Sequence, residues 1–96
     1  MKDVELTLNL LPVTFPKILL LGFTVSKLWV DGEYICDFEI TAGRCVKILL
    51  SAGKHSFTIS GNGTAQFEMD FRPGKCTATC KITAFGQEVT GPTYLS

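Results

Sequence analysis

Ser26-Lys27-Leu28-Trp29-Val30-Asp31-Gly32-Glu33-Tyr34-Ile35-Cys36-Asp37-Phe38 is the stretch that decides the fold. Apolar and polar residues alternate on both sides of an Asp-Gly pair, the pattern of two half-buried strands joined by a turn. Facing residues of an antiparallel pair share a face, so parity tests each loop length. Asp31-Gly32-Glu33 read as a three-residue loop sets Val30 against Tyr34, Leu28 against Cys36 and Ser26 against Phe38, with Trp29 facing Ile35 and Lys27 facing Asp37 on the other side. A two-residue loop sets Val30 against Glu33 and mixes the faces.

The same test runs outward in both directions. A loop over Thr41 to Cys45 opposes Ile40 to Val46, Phe38 to Ile48 and Cys36 to Leu50, with Glu39 opposite Lys47. Gly61-Asn62-Gly63 as a loop opposes Ile59 to Ala65 and Phe57 to Phe67. A two-residue Pro73-Gly74 turn opposes Phe71 to Cys76, Met69 to Ala78, Phe67 to Cys80 and Ala65 to Ile82. Lys75 to Thr83 is two-sided, with Cys76, Ala78, Cys80 and Ile82 inward. Upstream, Val4, Leu6, Leu8 and Leu10 form one apolar face, and Pro12 and Pro16 then punctuate a connection. A second apolar segment runs from Lys17 toward Phe23, with a bend at Gly22, and the tail after Gly86 reads as an edge strand or a frayed end.

Helical spacing is nowhere sustained. The pattern predicts an all-β chain, an antiparallel β-sandwich of about eight strands, because that many strands exceed a single open sheet with one wet face at this length. With 96 residues there is room for one core, so residues 1–96 read as a single domain. The chain is 46% hydrophobic and 19% charged, too apolar for disorder. Nine basic residues balance nine acidic ones without a basic run, which argues against nucleic acid. Ile18 to Phe23 falls short of the roughly 20 apolar residues of a membrane helix, so no transmembrane segment is expected. Met1-Lys2-Asp3-Val4-Glu5 does not read as a secretion signal.

The residues that carry chemistry have structural explanations. His55 is the single histidine, and it is read as capping backbone groups at a turn rather than joining a metal cluster or a Ser-His-Asp arrangement. Cys76 and Cys80 lie four residues apart on one strand, about 13 Å at ~3.3 Å per residue, beyond the ~7 Å limit for a disulfide. All four cysteines but Cys45 fall on the apolar face, where a free thiol behaves as a small hydrophobe. That usage favours a reducing cytoplasm, with the cell surface as the alternative for a fragment of a longer protein. Asp31, Glu33, Asp37 and Glu39 line one hairpin, but Lys27 and Lys47 oppose two of them, so a solvated, self-neutralised face is expected rather than calcium or a glycosidase pair. Asn62-Gly63-Thr64 matches a glycosylation sequon and equally a hairpin tip.

Leu28-Trp29-Val30-Asp31-Gly32-Glu33-Tyr34, followed by Ile48-Leu49-Leu50-Ser51-Ala52-Gly53-Lys54-His55-Ser56-Phe57-Thr58-Ile59, resembles the bacterial PEGA and PEGA-like β-sandwich domains over residues 24–60. There a strand ends in a Val-Asp-Gly-Lys type turn, and a Pro-Gly-Lys-His-Thr type turn opens a later strand. The Pro-Glu-Gly-Ala tetrapeptide is absent here, and Ala52 stands where a proline usually precedes the glycine. The resemblance implies a non-enzymatic accessory domain of surface or membrane-attached proteins, with no catalytic residue to transfer.

Trp29 is the exception to the inside-outside pattern. Parity places it on the polar face with Ile35 and Leu49, an apolar strip bordered by Lys27, Asp37 and Lys47. Such a strip marks a partner interface or a sugar-stacking platform, unless another segment covers it. The sequence thus predicts a binding or structural module without cofactor or metal, acting through protein contact or self-association, with Trp29, Tyr34, Ile35 and Leu49 as candidate contacts. The alternative is a carbohydrate-binding module in which Trp29 and Tyr34 stack on sugars.

Overall fold

A computed structural model of the chain describes residues 2–12, 25–61, 63–83 and 86–95. The apolar segment 17–23, with the bend expected at Gly22, lies outside them, as does Asn62 of the sequon. The described residues form eight strands and no helix: β1 (Val4–Leu10), β2 (Val25–Val30), β3 (Glu33–Glu39), β4 (Arg44–Leu50), β5 (Gly53–Gly61), β6 (Gly63–Phe71), β7 (Gly74–Thr83) and β8 (Gly86–Tyr94). Among the described residues the tail supplies β8, an edge strand paired with β7, which is the edge-strand alternative of the sequence reading.

Two four-stranded sheets result, in the orders β4-β1-β7-β8 and β3-β2-β5-β6. Alternation decides which residues are buried. Val4, Leu6, Leu8 and Leu10 of β1 are inside, as are Val46, Ile48 and Leu50 of β4 and Cys76, Ala78 and Cys80 of β7. The other sheet contributes Leu28, Val30, Phe38, Phe57, Ile59, Met69 and Phe71, and these side chains join those of the first sheet in one hydrophobic cluster. Each fully buried large side chain contributes about 1.5 to 3 kcal/mol. Phe57, fully buried, stacks on Phe67 at 5.3 Å and tilts against Phe71 at 6.1 Å.

Pairing follows the sequence reading within hairpins. Gly61 opposes Gly63, which sets Ile59 against Ala65 and Phe57 against Phe67. Ser26 opposes Phe38, Lys27 opposes Asp37 and Leu28 opposes Cys36. Nearer the turn the expectation is corrected, because Trp29 faces Tyr34 and Val30 faces Glu33. The loop is the two residues Asp31-Gly32, with φ of 51° and 81°, the double positive φ of a turn whose twist matches the strands. A bulge between the Leu28 and Trp29 pairs makes Ile35 the extra residue and restores the faces beyond it. Strict parity admits no bulge, which is why it rejected the two-residue loop.

Two further expected hairpins do not form. β3 and β4 belong to different sheets, so Val46, Ile48 and Leu50 face Leu8, Leu6 and Val4 of β1, and Lys47 faces Thr7 rather than Glu39. β6 and β7 are likewise split: β7 runs parallel to β1, with Cys76, Ala78 and Cys80 opposite Leu6, Leu8 and Leu10. A chain that crosses from one sheet to the other can keep its apolar residues inward, as a hairpin does. Parity therefore holds for both, and only the partner changes.

Candidate functional site

The four residues expected to form one strip are dispersed by this topology. Leu49 is exposed on β4, opposite Glu5, in the sheet that does not contain Trp29. Ile35, displaced by the bulge, packs partly buried against the core. Trp29 and Tyr34 remain together. Their rings meet edge to face, with centroids 5.5 Å apart and planes at 69°, a favoured aromatic geometry. Trp29 is half-buried and its Nε1 donates to Ser60 Oγ at 3.4 Å, while Tyr34 is 47% exposed.

A charged rim borders this pair. Tyr34 Oη donates to Asp37 Oδ1 at 2.7 Å, and Lys27 Nζ donates to the same oxygen at 3.1 Å. The ammonium of Lys27 also lies 5.5 Å from the centroid of the Tyr34 ring. The Tyr34 hydroxyl, and then Lys27, hold the Asp37 carboxyl below its usual range, and the same bond raises the Tyr34 hydroxyl. These groups stand in water, so the shifts mark local geometry and not a large stability term. Arg44 closes the rim by donating to the Asp37 carbonyl at 2.7 Å.

A second polar cluster is one the sequence reading dismissed. The β2–β3 turn and the connection from β4 to β5 bring Asp31, His55 and Ser51 together. Asp31 Oδ2 lies 2.5 Å from His55 Nδ1, and His55 Nε2 lies 2.8 Å from the Ser51 carbonyl oxygen and 3.5 Å from Ser51 Oγ. One histidine is enough for an Asp-His-Ser order, so the argument from a single histidine is corrected. The geometry nevertheless opposes nucleophilic catalysis. A general base needs a free lone pair on the nitrogen facing the serine hydroxyl, whereas Nε2 is directed at a backbone carbonyl, which only accepts. Register alone brings His55 to Asp31, across 24 intervening sequence steps, and no motif announces it. The expected capping role is realised in the bond to Ser51.

The acids read as a row separate into different bonds. Asp31 binds His55 and accepts from the Ser56 amide at 2.9 Å, whereas Asp37 binds Tyr34 and Lys27. Among the described residues no group of three or more His, Cys, Asp or Glu side chains is arranged to hold a metal ion, and no helix is long and apolar enough to cross a membrane. All four cysteines are free: Cys76 and Cys80 are buried, Cys36 is half-buried and Cys45 is exposed. Burial pushes the Cys80 thiol up to about 11, which makes it a poor nucleophile. Comparison of the chain with protein-family models, with curated proteins and with solved structures yields no match.

Proposed function

We propose that this chain is a β-sandwich serving as a non-enzymatic binding or structural module, which contacts a protein, including a second copy of itself, through the Trp29–Tyr34 pair. The sandwich reading is supported by the single core to which both sheets contribute and by the smallest dimension of 19 Å, room for two layers about 10 Å apart. The observation that carries the functional reading is the edge-to-face Trp29–Tyr34 pair with Tyr34 47% exposed and a rim of Lys27, Asp37 and Ser60. Trp and Tyr dominate the energetic centres of protein interfaces, and polar rims surround them. The free cysteines agree with a reducing compartment, and the PEGA-like turns point to an accessory domain. A sugar platform gains less support, because rings at 69° do not present two coplanar faces.

Size-exclusion chromatography with light scattering tests self-contact. A mass above the 10.5 kDa of one chain that returns to one chain in Tyr34→Ala supports the reading. A single-chain mass combined with a Trp29 fluorescence response to a glycan panel overturns it in favour of carbohydrate.

A further inference from the structure

His55 faces hydrogen-bond acceptors at both ring nitrogens, a carboxylate at Nδ1 and a main-chain carbonyl at Nε2. A neutral imidazole carries one N–H and satisfies one of them; the imidazolium carries two and satisfies both. Its side chain is 12% exposed, so water does not easily replace a lost partner. The two acceptors lie on segments that β-sheet hydrogen bonding does not join. Asp31 is at the tip of the β2–β3 hairpin, and Ser51 is in the connection that carries the chain from β4 in one sheet to β5 in the other.

We propose that protonated His55 is a pH-operated clasp, holding the Asp31–Gly32 hairpin tip to the Ser51–Ala52 crossover; when the imidazole loses a proton its remaining N–H stays on the Asp31 carboxylate, the stronger acceptor, and the crossover is released. Asp31 is itself fixed for the task. Its Oδ1 accepts from the Ser56 amide and its main-chain N–H donates to the Ser56 carbonyl at 2.8 Å, so the carboxylate is aimed by β5. The crossover has a second tie, from the Ala52 amide to Asp3 Oδ1 at 3.3 Å, which limits how far it moves on release.

The charged surroundings of His55 are simple. Asp31 is the charged group acting on it from the hairpin tip. The crossover offers the neutral Ser51. On β6 the facing residue is Met69, with the Phe71 ring 6.0 Å away. Burial pulls the imidazole down, but the Asp31 bond and the Ser51 carbonyl outweigh it and leave His55 above its ordinary 6.5. Asp31 is held below its ordinary 3.8, first by His55 and then by the Ser56 amide. For the raised base, the stabilisation is complete below 6.5 and disappears as pH rises through the folded value. For the depressed acid, it is complete above 3.8 and disappears as pH falls through the folded value. The clasp is therefore fully closed between those two pH values and opens on the alkaline side as His55 loses its proton.

Imidazole nitrogen NMR of the full chain, recorded with pH alongside amide hydrogen exchange, tests the proposal. Two N–H signals on His55 at pH 6 are expected, titrating above 6.5, with protection at Ala52 and Gly53 falling about tenfold through the same midpoint, the loss of roughly one charge-assisted hydrogen bond. Asp31→Asn, which keeps a residue tolerant of positive φ at the turn, is expected to lower the midpoint and abolish the coupled change in exchange. A single N–H at pH 6, a midpoint at or below 6.5 in the wild-type chain, or protection that ignores the titration overturns it. The wild-type measurement decides the matter even where the variant does not fold.

Discussion

The tips of the hairpins and the crossings between sheets are built differently, although the sequence writes them in similar residues. At Asp31-Gly32 the two strands leave the turn already paired, and the ladder between β2 and β3 holds the connection. At 40–43, 51–52 and 72–73 the flanking strands separate into different sheets, so local bonds must hold the chain instead. Gly43 N–H donates to the Glu39 carbonyl at 2.8 Å. The Arg72 amide donates to Tyr94 Oη at 2.6 Å while the guanidinium covers the Tyr94 ring at 4.3 Å. Asp3 joins two crossings at once, through its carboxylate to Ala52 and its carbonyl to the Gly74 amide at 3.0 Å. A hairpin is thus secured by repetition along a ladder, and a crossing by a few specific contacts that single substitutions can remove.

Paired glycine substitutions give the largest expected contrast. Gly43 has φ 72°, and a Cβ there would sit 2.5 Å from the Leu10 carbonyl oxygen and 2.9 Å from Pro12 N. Gly32 has φ 81°, with nothing within 4 Å of a Cβ. Gly32→Ala should therefore cost about 1 to 2 kcal/mol, the left-handed penalty alone. Gly43→Ala should cost roughly 2 to 5 kcal/mol, because displaced backbone adds to that penalty. Urea denaturation checks the order, and equal midpoints would remove the distinction between the two kinds of connection.

Tyr94→Phe sharpens the comparison at the β6–β7 crossing. It keeps the ring under Arg72 and deletes one hydrogen bond, so a loss of about 1 kcal/mol is expected, with faster amide exchange confined to Arg72 and Gly74. Spread of that exchange into the β2–β3 hairpin would contradict local fastening. Lys27→Ala, on the β2–β3 ladder, is the smallest. Its ion pair with Asp37 is exposed on both sides, at 53% and 48%, and such pairs contribute little. Its thermal midpoint should match the wild type within the scatter of repeat melts, and a clear shift would show that the rim shapes the hairpin.

How far the site was legible follows the same division. Trp29 and Tyr34 lie next to one tight turn, so local sequence brings them together even though the register there is shifted by one. Leu49 was joined to them by assuming that β3 pairs with β4, an assumption alternation cannot test. Ile35 left the strip because a bulge costs no apolar burial and leaves no mark in the pattern. His55 and Asp31 meet only because β2 pairs with β5, which sets Val30 opposite Phe57 and brings the hairpin tip beside the start of β5.

By itself the chain determined the inside and the outside. The alternation of Val4 to Leu10, the inward cysteines of β7 and the paired phenylalanines of β5 and β6 follow from a period of two and the gain from burying apolar area. Tertiary structure alone decided which strands pair beyond the β2–β3 and β5–β6 hairpins, that β1 lies between β4 and β7, and which polar groups meet at the crossings. The physical reason is that burial depends on the face a residue presents, whereas hydrogen-bonded pairing depends on the strand beside it, and one alternating pattern serves either neighbour equally well.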